Sequence, residues 1–321
     1  MVNSCQHIKL GNLIFGGKFT YLRKVYDANS GRKKKVMRFD KIVIVGSGKI
    51  ACDIIQILIK RIDLTKITVI ESKNSSLSFL ESICKNKGIR FFSPIDMNII
   101  EEYLILEAKV KLSVLVISAN NRHIFSKKIL TCSNFEVINF HYSYLPNYRG
   151  MNIPTWVIYN RESYTGVTWH YVTDIIDGGK IISRKKFFLT DDITAFDVTY
   201  QGMKLGIEAF KEFIFDFLEK KIEGIEIRED ELGAIYFNNE LPGNGYINLN
   251  DSCDNIYKLL RCYDYGKINV LQPLNIVYCN RKYYVKNYKK LTDKYTSNKR
   301  DNEIVIKGNM FDLKITIEEV I

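Results

Sequence analysis

The chain has 321 residues, 46% apolar and 26% charged, with a net charge of +11. That balance excludes a disordered or collagen-like chain for the bulk and leaves room for one large domain or two modest ones. No apolar run approaches the length that crosses a membrane, and the first twenty residues lack the apolar core of a secretory signal.

The charge is concentrated. Residues 1–38 hold nine bases against Asp27, and residues 281–300 hold eight against Asp293, so the body between is slightly acidic. Basic arms of this kind are more often solvated than engaged, and nucleic acid is the minority reading for them. Seven cysteines, widely spread and without a CxxC pair, fit reduced thiols in a cytoplasm better than disulfides or structural zinc.

Residues 1–38 read as an extension without sustained period, and Met37 offers a second start. From Lys41 the pattern alternates: a buried strand at 41–45, a helix over 50–62, a strand at 67–70, a helix over 76–87, a strand at 112–117, a short helix at 125–130 and a strand at 137–140. Strand–helix alternation predicts a Rossmann-like α/β fold with a parallel sheet covered on both faces. After Gly150 come a helix near 154–159, a strand pair at 166–172 and 180–188, and a long helix from Thr194 to about Lys220. Beyond 230 the texture predicts a small β-rich C-terminal module: a helix over 251–262, a hairpin turning at Asn280-Arg281 and another near Gly308-Asn309. The expected organisation is an extension (1–38), a catalytic domain (39–230) and the module (231–321).

Two constellations carry chemistry. Gly46-Ser-Gly48-Lys-Ile-Ala51, between strand and helix with Glu71 about twenty residues on, has the form of a dinucleotide fingerprint. The plainer reading is a first turn that needs small residues. The stronger constellation is Asn139-Phe-His141, directly after a predicted strand, where open α/β sheets place ligands. Alternation puts Asn139 and His141 on one face, and Asp177 follows on a loop beside Gly178 and Gly179. An amide, an imidazole and a carboxylate, with no serine or cysteine placed as nucleophile, suit direct acyl transfer to an amine. His170, between Trp169 and Tyr171, reads as a packed histidine, and Asp174 as a solvated or capping residue. No close histidine pair or cysteine supports a metal site.

Three segments together carry a family resemblance: Asn139-x-His141-x-Ser143-x-Leu145-Pro146-x-Tyr148-Arg149-Gly150, then Gly166-Val-Thr-x-His170, then Asp177-x-Gly179-x-Ile181. They resemble the 10-formyltetrahydrofolate-dependent formyltransferases, which include methionyl-tRNA, glycinamide ribonucleotide and nucleotide-sugar members. The resemblance runs in order from about Lys41 to Leu291. It implies that Asn139 binds the formyl oxygen, that His141 moves the proton, and that Asp177 sets the state of His141. It implies 10-formyltetrahydrofolate as donor, held by Ala119, Asn120, Asn121, Arg122 and His123 and by Val172, Thr173, Asp174, Ile175 and Ile176. The chain departs from the pattern at Asn120 and Asn121, where relatives commonly show Tyr-Gly or Gly, and in the spacing from Gly150 to Pro154.

The acceptor is chosen by charge and aromatics. A tRNA enzyme spreads bases over its cleft, whereas a nucleotide-linked amino sugar needs a local pocket, for which Tyr148, Arg149, Asn152, Trp156 and Trp169 are the candidates. The expectation is a cytoplasmic enzyme that formylates a dTDP- or UDP-4-amino sugar, in the context of lipopolysaccharide biosynthesis, with a homodimer left open. Methionyl-tRNA or another small amine are the alternatives within the class. Outside it stand a nicotinamide oxidoreductase using Gly46–Glu71 and a non-catalytic binding module.

Overall fold

The computed structural model describes residues 38–320 apart from 73–77, 95, 122 and 292–301. Strands β1 (Lys41–Gly46), β2 (Ile67–Glu71), β3 (Arg90–Phe92), β4 (Val114–Ala119) and β5 (Phe135–His141) alternate with helices α1 (Gly48–Leu58), α2 (Phe79–Lys87), α3 (Asn98–Lys109) and α4 (Lys127–Leu130). β6 (Arg149–Gly150), α5 (Ile153–Tyr159), β7 (Tyr164–Tyr171), β8 (Ile181–Phe188), α6 (Ala195–Leu218) and β9 (Ile235–Tyr236) follow. The remainder is β10 (Tyr246–Ile247), α7 (Cys253–Tyr263), β11 (Asn275–Tyr278), β12 (Arg281–Leu291), β13 (Glu303–Ile306) and β14 (Asp312–Glu319).

The main sheet has the order β3-β2-β1-β4-β5-β7-β8. β1 to β5 run parallel, and the buried, β-branched runs of β1, β2 and β4 fit a sheet covered by helices on both faces. β7 is antiparallel to β5 and β8 to β7, so the sheet is mixed at this edge. One face packs Ile42, Ile44, Leu115, Ile117, Ile138, Phe140, Val167 and Trp169 against α1, α2 and α6. The other packs Val43, Val45, Val114, Val116 and Val137 against Ile100 and Leu104 of α3 and Ile129 of α4. Thus Phe140 points to the α6 side, and its neighbours Asn139 and His141 point to the other face.

β3 and α3 occupy a stretch that the periodicity leaves unassigned. The apolar residues of α3 run around the helix, and only Ile100 and Leu104 are buried, so no single stripe stands out. α6, by contrast, begins where Thr194 predicts. The Thr194 hydroxyl accepts from the Asp197 N–H, and the Asp197 carboxylate accepts from the Thr194 N–H.

A second sheet, in the order β10-β11-β12-β14-β13, closes over α7. Its first hairpin turns at Cys279-Asn280, both at positive φ, one residue before the expected position. The segment after 230 does not leave directly for this sheet. It first returns to the main body as β9, paired in parallel with β6. The module is tied down by buried polar contacts: Thr155 Oγ1 donates to the Cys262 carbonyl (2.8 Å), and Arg261 Nη1 donates to the Ile193 carbonyl (2.9 Å).

Candidate active site

The site lies at the carboxyl end of β5, beside the antiparallel β7. Cross-strand pairing sets Asn139 opposite His170 and His141 opposite Thr168, so the amide and both imidazoles share one face. The loop after β7 brings Asp177 back over them. Asp177 Oδ2 lies 3.6 Å from His141 Nδ1, and Oδ1 lies 3.5 Å from His170 Nε2. The Gly150 N–H donates to Asp177 Oδ2 (2.8 Å). Asp177 sits at φ +45° and Tyr148 at +59°, a left-handed backbone that side chains seldom adopt and that surrounding contacts must hold.

Hydrogen bonds to backbone carbonyls fix both rings. His141 Nε2 lies 2.8 Å from the Tyr148 carbonyl and His170 Nδ1 lies 2.8 Å from the Tyr171 carbonyl. A carbonyl only accepts, so these nitrogens carry the protons. His141 is left with Nδ1 facing Asp177. His170 is left with an accepting Nε2, which takes a bond from Asn139 Nδ2 (3.3 Å). Burial pushes the His170 pKa down to about 4, against the opposing pull of Asp177. Burial pushes the Asp177 carboxyl up. His141, His170, the Gly150 N–H and Arg149 together outweigh it and hold the group below the ordinary carboxylate value. The site therefore presents a carboxylate, a buried imidazole held neutral at His170, and a second imidazole whose Nδ1 faces that carboxylate.

The expected donor-side residues flank this centre in part. Ala119 ends β4 fully buried, and Asn121 Oδ1 accepts from the His123 N–H (2.9 Å). His123 Nε2 lies 3.2 Å from Glu101 Oε2. Arg122 lies outside the described residues. On the facing loop, Val172 N–H donates to the Val137 carbonyl, Thr173 Oγ1 accepts from the Ile175 N–H, and Ile175 and Ile176 are exposed. Asp174 is solvated, 3.7 Å from Lys127 Nζ.

The acceptor-side candidates divide. Tyr148 stacks on Tyr236 (ring centroids 5.3 Å apart, 6° between planes), and Trp156 lies on the same Tyr236 ring at 4.7 Å. Asn152 Nδ2 donates to Asn238 Oδ1 (3.2 Å). Arg149 is buried, its guanidinium donating from Nε to the Gly233 carbonyl and from Nη1 to the Ile176 carbonyl, so it braces the Asp177 loop. Trp169 corrects the expectation. It is fully buried on the α6 side, packs on Phe140, Phe210 and Phe213, and donates its indole N–H to the Gly206 carbonyl.

The first turn is explained without a ligand. A Cβ at Gly46 would overlap the Ala119 carbonyl, so glycine is needed for β1 to approach β4. Ser47 Oγ donates to the Asn120 carbonyl (3.0 Å), and Asn120 Nδ2 returns a bond to Ser47 Oγ (3.2 Å). No local pattern singles out Tyr236, Glu162, which accepts from the Tyr148 hydroxyl (2.5 Å), or Ser118. Tyr236 reaches the site through a strand pairing 86 positions away from Gly150, a separation no local pattern encodes. Among the described residues, no group of three His, Cys, Asp or Glu is disposed to hold a metal ion, and no helix is long and apolar enough to cross a membrane.

Comparison with known proteins places this geometry. The bifunctional polymyxin resistance protein ArnA of Wigglesworthia glossinidia brevipalpis is 31% identical over 203 residues, which are 62% of this chain and 30% of that protein. The chain thus spans less than a third of that relative's length. Methionyl-tRNA formyltransferase of Clostridium acetobutylicum is 26% identical over 227 residues, covering 69% of this chain and 72% of the relative. An N-formyltransferase from Helicobacter canadensis, solved with folinic acid and dTDP-3-aminofucose, shares the fold at a TM-score of 0.65 and 20% identity, over 87% of this chain and 99% of that one. The model of the formyl transferase family matches residues 40–214, more than half of the sequence, and that span includes Asn139, His141 and Asp177. The chain belongs to the formyl transferase family.

Proposed function

We propose that the chain transfers a formyl group from 10-formyltetrahydrofolate to the amine of a nucleotide-linked amino sugar. The observation that carries this reading is the convergence of Asn139, His141 and Asp177, with one Asn139 N–H not engaged by His170 and His141 Nδ1 not bound to backbone. The folate donor supplies a formyl group on a weakly basic nitrogen. Asn139 Nδ2–H donates to the formyl oxygen as charge gathers there. His141 takes the proton from the attacking amine at Nδ1 and returns it to the departing folate nitrogen. Asp177 stabilises the imidazolium formed in between, as Nε2–H stays on the Tyr148 carbonyl. The C–N bond to the folate breaks as the bond to the sugar amine forms, so atoms and protons balance.

The sugar acceptor is favoured by the stack of Tyr148, Tyr236 and Trp156, an aromatic surface fit for a nucleobase. The charge distribution favours it too, since the basic residues gather in 1–38 and 281–300. The solved Helicobacter relative was crystallised with a nucleotide-linked amino sugar.

Thermal unfolding with a stable reduced-folate analogue, alone and with dTDP, UDP or NAD, tests the reading. A ligand at a hundred times its Kd stabilises by about 2.7 kcal/mol. The expected result is a rise with the folate and a further rise with dTDP or UDP. Stabilisation by NAD without any by the folate would overturn it.

A further inference from the structure

We propose that Ser118 is a positioning residue for Asn139, holding its carboxamide in the orientation that offers N–H, and not C=O, to the formyl oxygen. The proposal rests on the formyl-transfer reading above for its consequence in turnover, but the hydrogen-bond chain itself does not.

A carboxamide is nearly symmetric in shape, so its partners decide which end faces where. Asn139 has a buried partner at each end. Ser118, at the penultimate position of β4, is 3% exposed, and its Oγ donates to Asn139 Oδ1 at 2.8 Å. At the other end Asn139 Nδ2 donates to His170 Nε2, which can accept because Nδ1 of the same ring is bound to the Tyr171 carbonyl. The burial that keeps His170 neutral keeps Nε2 an acceptor.

The polarity of Ser118 is itself determined. Asn121 Nδ2 donates to Ser118 Oγ (3.3 Å) and also to the His123 carbonyl (3.1 Å). With a donor arriving from Asn121, the single hydroxyl hydrogen of Ser118 goes to Asn139. Donation then runs in one direction, from Asn121 through Ser118 and Asn139 to His170, and His170 in turn donates to the β7 backbone. Every link assigns the next, and the second hydrogen of Asn139 Nδ2 is left for the formyl oxygen. The chain starts on the loop after β4, at one of the positions where this sequence departs from the family pattern. The departure therefore has a use: Asn121 couples the expected donor loop to the oxyanion-binding amide.

Without the hydroxyl, Asn139 Oδ1 loses its buried donor and the flipped orientation becomes populated. Ser118→Ala and Ser118→Val are compared with Ser118→Thr, because Thr and Val have one shape and differ only in the hydroxyl. We expect kcat to fall on the order of 10- to 100-fold in Ala and Val, a fraction of what losing the donor itself costs. KM for both substrates should stay within about threefold, and Thr should recover most of the rate relative to Val. A merely structural role would lower stability and move Thr with Val. The second readout needs no turnover: ¹⁵N labelling of the four histidines. His170 should be protonated at Nδ1, and its Nε2 resonance should move in Ser118→Ala and return in Ser118→Thr. An Nε2-protonated His170, or a resonance indifferent to Ser118, would overturn the proposal whatever the turnover. Absence of formyl transfer in the unsubstituted chain would instead overturn the reading on which its consequence rests.

Discussion

At His170, burial holds the imidazole pKa near 4, well below the ordinary 6.5. Between those values the unfolded chain binds a proton there that the folded chain refuses. Stability therefore rises with pH across that window and is lost as pH falls toward 4, by about 3 kcal/mol if the full shift applies. Asp177 acts lower on the scale. Its depressed carboxyl contributes stability that is complete above the ordinary carboxylate value and lost as pH falls through the folded value. Chemical unfolding from pH 4.5 to 7.5 should show a slope that His170→Asn flattens; an unchanged slope would contradict a neutral, buried His170. At the same scale, Asn139→Ala should cost about 10²- to 10³-fold in kcat and His141→Ala about 10²- to 10⁴-fold, with reduced-folate binding retained. Calorimetric titration beside the rate assay separates the two effects.

Gly150 shows how an element, and not only a side chain, makes the site. It has φ +94°, a Cβ there would overlap the Tyr236 carbonyl, and its N–H holds Asp177. Gly150→Ala should part β6 from β9 and cost on the order of 1–3 kcal/mol, with a loss of activity larger than that of stability. Thr194→Ala, which removes the cap of α6 far from the chemistry, should cost about 1 kcal/mol and leave kcat alone. Equilibrium unfolding and turnover on the same samples check both. These elements also mark what the sequence discloses. The parallel strands, α6 and the convergence of Asn139 with His141 are readable because burial writes a period of two or of 3.6 into the residues. Period two also tells against Trp169 as a ligand group. It lies between Thr168 and His170, which face the site, and so must face α6. Neither Arg149, whose direction in a two-residue strand has no pattern, nor Tyr236, brought in by a distant pairing, has a local signature. Ser118 is equally silent, since its partners lie on β5 and on the loop that follows β4.

Across the whole molecule, Met37–Ile321 forms one compact unit. Buried ties from Thr155 and Arg261 join α5 and the 193 region to α7. The main body and the C-terminal sheet should therefore unfold together, and calorimetry that resolves two separate transitions would contradict this. Where the positive charge lies also bears on the acceptor. A tRNA substrate held through phosphates would lose affinity steeply with salt, whereas a nucleotide-linked sugar held on Tyr148, Tyr236 and Trp156 should respond weakly. The most direct test is product analysis by mass spectrometry after incubation with 10-formyltetrahydrofolate and a panel of dTDP- and UDP-linked amino sugars beside methionyl-tRNA. The expected result is an N-formylated sugar nucleotide from the unsubstituted chain and a severe loss of that product from His141→Ala. Formylation confined to methionyl-tRNA, or equal sugar formylation by His141→Ala, would contradict it.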